Sequence, residues 1–127
     1  FKQQLHNATD ISCCFATRED LDITNNDIVH RFFSENNFDY CVNTAAYTNV
    51  EKAEGEQEEA FLINAEGAYN VAKACKEHNV VLLHISTDYV FDGTKKKPYI
   101  ETDDTQPINV YGASKLKGEQ YIGDTWN

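Results

Sequence analysis

Basic residues are scarce: 11 lysines and arginines stand against 21 aspartates and glutamates in 127 residues, a formal net charge of -10. Such a balance repels phosphate backbones and anionic lipid, so neither nucleic acid nor a membrane surface is expected as a partner. The one basic cluster, Lys95 to Lys97, lies between Gly93 and Pro98 and reads as a solvated loop tip. Long apolar runs are missing too, none nearing the roughly 20 residues that span a bilayer, and no charged segment leads into an apolar one at the start. A soluble, cytoplasmic protein is the expectation. Cysteine motifs are absent: Cys13 and Cys14 are adjacent while Cys41 and Cys75 stand far apart, which gives neither a zinc knuckle nor a CxxC pair. They read as reduced packing residues, and no metal ligand is assigned. There is no internal repeat, and no initiating methionine. Phe1 opens in mid-pattern, which predicts a piece of a longer chain.

What remains alternates. "DISCCFA" (10–16) has the apolar character of a short buried strand. From Thr24, an available N-cap with Asp27 three residues on, "NNDIVHRFFSENN" sets Ile28, Val29, Phe32 and Phe33 on one helical stripe that stops at the Asn pair. "YCVNTAAY" (40–47) starts as a second strand and turns to small residues after Asn43. A long helix follows, with Phe61, Ala65, Ala68, Ala72 and Cys75 repeating at three and four and ending near "EHN". "VVLLHIS" (80–86) is apolar on both faces except at His84, the pattern of a central parallel strand covered on both sides. A last helix is expected from near Val110. This is the order of an open α/β sheet, whose binding crevice lies beyond the carboxyl ends of the strands.

Two stretches there carry chemistry. "YGASK" places Tyr111 and Lys115 four apart, on one face of a helix. A phenol of ordinary pKa near 10 is a poor acid at neutral pH. An ammonium about 4 to 5 Å away, at an effective dielectric of about 20, favours phenolate by roughly 3 to 4 kcal/mol before desolvation subtracts. A hydroxyl from Ser86 or Thr87, at the end of the apolar strand, can then share one carbonyl oxygen with the phenol. The chemistry these groups suit is proton delivery as hydride reaches a carbonyl carbon, the hydride coming from a cofactor. Alone, a Tyr and a Lys four apart are common by chance; "STD" at a strand end changes the balance. Asp88 is by default a turn or cap residue, His84 a satisfied core histidine, and Tyr89 and Phe91 are packing.

"STDYVFDG", "YGASK", "NTAAYTNVEKAE" and "LDIT" together resemble the dTDP-4-dehydrorhamnose reductases, which are extended short-chain dehydrogenases/reductases, over nearly the whole chain. "YxxxK" alone points only to the superfamily; "STDYVFDG" followed by "PYIETDDTQPINVYGASKLKGE" is far narrower. The resemblance implies a Rossmann-like doubly wound parallel sheet. It implies NAD(P)H-dependent reduction of the C4 keto group of dTDP-4-dehydro-L-rhamnose, a nucleotide-sugar substrate, and a homodimer in the full-length parent. Tyr111 would give the proton, Lys115 would hold the nicotinamide ribose and tune Tyr111, and Thr87 and Asp88 would meet the substrate. Ala46, Tyr47 and Thr48 would line the nicotinamide side; Asp22 and Ile23 would lie near the adenine. Thr17 and Arg18 stand where the adenosine ribose is read, and an arginine there favours NADPH over NADH. Two other readings share these residues. One is a sugar-nucleotide epimerase or dehydratase, whose usual "VYG" is here "TDYVFDG"; the other is a non-catalytic relative such as the methionine adenosyltransferase regulatory subunit.

The family opens with a strand and a Gly-rich turn that seats the pyrophosphate at a helix N-terminus, and none of the six glycines forms it. Phe1 matches a point just inside the following helix. The carboxyl-terminal part that supplies much of the sugar pocket is also expected to lie beyond Asn127. Residues 1–127 thus read as a partial NAD(P)-binding Rossmann domain. The first strand would stand between the strands at 10–16 and 40–44, so its absence is expected to leave edges unpaired and apolar surface exposed. The chain by itself is expected to be inactive and to show no tight NADPH binding by fluorescence titration; micromolar affinity would contradict this.

Overall fold

Asn25, rather than Thr24, caps the first described helix of the computed structural model, which describes residues 11–126. The helix expected from Phe1 and the first residue of the 10–16 strand lie outside the described residues. The Asn25 side-chain oxygen accepts the backbone N–H groups of Asp27 and Ile28, both at 3.1 Å, while the Thr24 hydroxyl donates to Asp22 at 2.7 Å. An asparagine amide satisfies two orphan donors of the first turn at once, and this places the cap one residue later than the sequence pattern suggests. The helix, α1 (Asn26–Ser34), buries Val29 and Phe33; Phe32 stacks beside them on Phe38 at 5.7 Å.

Two strands follow, β1 (Tyr40–Asn43) and β2 (Val81–His84), paired in parallel with Tyr40 opposite Val81 and Asn43 opposite His84. Parallel neighbours need a crossover, and here it is α2 (Val50–Ala53), α3 (Gln57–Phe61), a π-helical turn (Leu62–Gly67) and α4 (Ala68–Glu77). The long helix expected from the sequence is therefore interrupted. The wider π turn carries Asn64 into the interior with Ala65 and Gly67. Ala65, Ala68, Ala72 and Cys75 are buried as their spacing predicts. After β2 come a 3-10 turn (Asp88–Val90) and α5 (Val110–Trp126). The main core joins Val29 and Phe33 of α1, Val71, Ala74 and Cys75 of α4, Ile23 and Val80, with Cys41 and Leu82 from the strands packed against them.

This is a Rossmann-like α/β arrangement with a small sheet, and it departs from the sequence reading in two ways. Residues 11–16 form no ladder, and their side chains are exposed. A strand exists only beside a neighbour that takes its backbone hydrogen bonds, and the strand expected between 10–16 and β1 is not among the described residues. The sheet, β2 included, is covered on one face only: Cys41 of β1 and Leu82 of β2 meet the helices, whereas Val81 and Leu83 are 52% and 47% exposed, with Tyr40, Val42 and Ile85 also open. The open apolar face is that of Tyr40, Val42, Val81 and Leu83, where the sequence pattern predicts cover on both sides. Among the described residues, no helix is long and apolar enough to cross a membrane.

Two glycines let α5 sit against its neighbours. A Cβ on Gly112 would lie 2.1 Å from the Tyr89 carbonyl oxygen, and one on Gly118 would lie 2.3 Å from that of Asn64. Both obstacles are backbone, so the helix itself would have to move. Gly118→Ala is expected to destabilise the chain by about 1–3 kcal/mol in urea unfolding, the usual cost of overpacking. Gly123→Ala adds its methyl to open space and should be neutral or stabilise by up to about 1 kcal/mol. Equal responses from the two variants would rule out the close-approach account.

Candidate active site

The strands end side by side, and their last residues are tied together. Asn43 is buried; its amide nitrogen donates to His84 Nδ1 at 3.2 Å, and its oxygen accepts the Ala45 N–H at 3.1 Å. With Nδ1 as acceptor, the neutral His84 ring carries its proton on Nε2. That atom is buried and has no hydrogen-bond partner among the described residues. Burial, and secondarily the Lys115 charge, push the His84 pKa down to about 4. The histidine expected to be a satisfied core residue is satisfied on one nitrogen only.

From β1 the chain runs through Ala46, Tyr47 and Thr48 to Asn49, whose side chain caps α2 by accepting the Lys52 N–H at 3.0 Å. The Tyr47 backbone is held at both ends by one side chain: Asn64 Oδ1 accepts its N–H at 2.8 Å, and Asn64 Nδ2 donates to its carbonyl at 3.1 Å. The same Nδ2 donates to Ser114 Oγ at 2.9 Å, and Ser114 Oγ donates to the Tyr111 carbonyl at 2.7 Å. The loop at 46–48 is thereby fixed relative to the helix that carries Tyr111 and Lys115. The Tyr47 hydroxyl donates to Glu56 Oε2 at 2.7 Å, and this bond raises the phenol's pKa above its ordinary value.

At the end of β2, Lys115 is 2% exposed and its Nζ donates to the Ile85 carbonyl at 2.6 Å. Burial lowers its pKa, while the Glu119 charge acts in the opposite sense. Ser86 donates to Glu119, one turn beyond Lys115. Thr87 caps the 3-10 turn: its Oγ1 accepts the Tyr89 N–H at 3.3 Å and lies 3.3 Å from Asp88 Oδ1, to which it donates. Tyr89 lies edge-on to the Tyr111 ring with centroids 5.6 Å apart, and Phe91 stacks flat on Tyr99 at 4.1 Å. Both aromatics pack as the sequence suggests. Where α5 docks on the strand end, Lys115 thus reaches Ile85 and the Tyr111 ring packs on Tyr89, two residues after Thr87.

The residues at 17–23 stand apart from this junction. Thr17 donates through its backbone N–H and its hydroxyl to Asp20 Oδ2, at 2.8 and 2.7 Å. Arg18 is exposed, with Nη2 3.5 Å from Glu59 Oε1. Asp22 accepts the Thr24 N–H and hydroxyl, which hold its carboxyl below the usual range. Ile23 is buried in the core, and its carbonyl accepts from Asn70 at 2.9 Å. Sequence reasoning missed Asn64, Ser114 and Glu119. Two traces of them were in view: Asn64 is the polar residue in an alanine-rich stripe, and Ser114 lies inside "YGASK".

A helix docked on the carboxyl ends of parallel strands that are joined by a helical crossover places the chain in the Rossmann-like class of α/β proteins. The profile of the family described as RmlD substrate binding domain matches residues 2–127, and the chain belongs to that family. A dTDP-4-dehydrorhamnose reductase of Mycolicibacterium smegmatis is 49% identical over 107 residues, 84% of this chain and 32% of the relative. A dTDP-4-keto-6-deoxy-D-glucose reductase of Streptomyces niveus is 44% identical over 108 residues, 85% of this chain and 38% of the relative. The crystal structure of a dTDP-4-dehydrorhamnose reductase from Bacillus anthracis in complex with NADP superposes with a TM-score of 0.93 at 40% identity, covering 97% of this chain and 44% of that one. The chain thus spans about a third of the length of the curated relatives it matches.

His84 generates a pH dependence with a definite sign. Its folded pKa of about 4 lies below the ordinary 6.5, so the unfolded chain takes up the proton first as pH falls. The contribution is present above about pH 6.5 and is lost progressively toward pH 4. Urea midpoints measured at pH 7.5 and pH 5.0 should fall for the parent and fall less for His84→Gln. Identical slopes would remove His84 as the cause.

Proposed function

We propose that this chain supplies the proton-transfer part of a site in which an NADPH-dependent enzyme reduces the C4 keto group of dTDP-4-dehydro-L-rhamnose. The observation that carries the reading is the buried Lys115, held on the Ile85 carbonyl beside the Thr87 turn and one helical turn from Tyr111. The names of the relatives support the substrate class, a dTDP-linked 4-keto-6-deoxy sugar.

The residues fit the nicotinamide end of such a cofactor. An ammonium has three N–H donors; one from Lys115 goes to Ile85, which suits the others to a ribose diol. The exposed Arg18 guanidinium, loosely paired with Glu59, suits a 2'-phosphate, with Thr17 and Asp22 beside it. Ile23 contributes backbone rather than side chain to the adenine side. Ala46, Tyr47 and Thr48, fixed by Asn64, form the wall on the nicotinamide side. When bound, NADPH supplies the hydride that reaches C4. Tyr111 gives its phenolic proton to the developing O4 alkoxide, and the Lys115 charge stabilises the phenolate left behind. Thr87 turns its hydroxyl from Asp88 to the same oxygen, and Asp88 accepts from the sugar. The same reading assigns this work to the cytoplasm.

The test uses a protein of the relatives' full length that contains this chain, assayed by NADPH oxidation with dTDP-4-dehydro-L-rhamnose. Tyr111→Phe should lower kcat by about a hundredfold to ten-thousandfold, and Thr87→Val by about a hundredfold to a thousandfold. Arg18→Ala should raise KM for NADPH and leave that for NADH unchanged. Turnover that survives Tyr111→Phe undiminished would overturn the assignment.

A further inference from the structure

At the opposite end of β2 from Thr87, two helices bring together three side chains that the reductase reading does not use. His30 projects from α1; Glu77 ends α4, and His78 is its C-cap. One ligand atom from each, two imidazole nitrogens and a carboxylate oxygen, lies within 4.8 Å of the other two. His30 Nε2 is 3.4 Å from Glu77 Oε2, with the two side chains 57% and 40% exposed. The His30 and His78 rings meet edge-on at 5.8 Å.

The base under this cluster is rigid. Phe33, buried in the core, lies 6.4 Å from the His78 ring, and Val29, one residue before His30, is fully buried. Beyond His78 the chain reverses through Asn79 at φ 58, and the Val80 N–H bonds the Cys75 carbonyl at 2.8 Å. This C-terminal cap fixes Glu77 and His78 relative to each other. The carbonyl end of a ten-residue helix favours a positive charge, as does the chain's net charge of -10.

From these observations we infer a binding site for a borderline divalent transition metal of the zinc type, held by His30, Glu77 and His78 with a fourth position open to water. Two imidazoles and a carboxylate are a donor set that Zn²⁺ accepts, at bond lengths of about 2.0–2.2 Å. Those lengths put tetrahedral ligand atoms about 3.3 Å apart. The 3.4 Å pair already has that spacing, and side-chain rotation at an exposed site brings in the third atom. The site spans α1 and α4 away from the reacting end, so its effect is that of a clamp between helices rather than a reaction centre. It stabilises the fold by mass action.

The probe is Zn²⁺ alone, titrated into the full 127-residue chain in competition with a chromophoric chelator. Cys13→Ser and Cys14→Ser are introduced together so that thiolates do not contribute. One equivalent should bind and raise the melting temperature. His30→Ala and His78→Ala should each weaken binding by more than about tenfold, the scale on which even outer-shell partners act, and abolish the rise. Co²⁺ in place of Zn²⁺ should give a visible spectrum without a thiolate charge-transfer band. His30 and Glu77 are exposed and His78 half-buried, so circular dichroism should be unaltered in His30→Ala, and Glu77→Gln, which keeps the packing, supplies an independent weakening. Absence of binding by the Cys13→Ser/Cys14→Ser chain, or binding that survives both histidine variants, would overturn the site and leave His30 and Glu77 as a side-chain contact only.

Discussion

One amide side chain sets the position of everything at the strand ends. Asn64 is 1% exposed, and its oxygen and nitrogen reach the Tyr47 backbone on one side and Ser114 on the other. A buried polar group left unpaired costs about 1–3 kcal/mol, so any slip of the 46–48 loop against α5 breaks several bonds that water cannot replace. The backbone does its part as well. The Asn64 carbonyl lies where a Cβ on Gly118 would have to go, so helix and π turn approach as closely as two main chains can. The spacing between Tyr111, Lys115 and the loop that faces them follows from this contact rather than from their own interactions.

Electrostatics at the junction follow from the same tight packing. Lys115 loses water on docking and gains one carbonyl and the more distant Glu119. His84, below it on the strand, is kept neutral by burial and by that same charge. The cation thus acts on the titratable ring, while the Glu119 carboxylate acts on the cation.

Much of this was readable in the residues. The apolar stripe Ile28, Val29, Phe32 and Phe33, the alanine stripe of the crossover, both strands and the start of α5 near Val110 all follow from periodicity, because each element buries one face against a neighbour. "YGASK" and "STD" lie on elements that meet. Other features depend on distant partners and leave little local trace. The π turn at 62–67 has its reason 50 residues away, in Ser114. Thr24 and Asn25 are both good caps, and which one acts is decided by Asp22 taking the threonine hydroxyl. The stretch 11–16 has strand composition but no ladder, since composition expresses a preference for a neighbour and cannot provide one.

The register of the sheet also bears on the order in which the chain can organise itself. Asn43 and His84 are partners 41 residues apart, and bringing ends that distant together from a disordered coil costs roughly 3 kcal/mol of chain entropy before any strand bond is made. A four-residue ladder is too short to lead. The crossover helices, whose contacts are local, must shorten that span first, so the sheet at the centre of the fold is among the last parts to form.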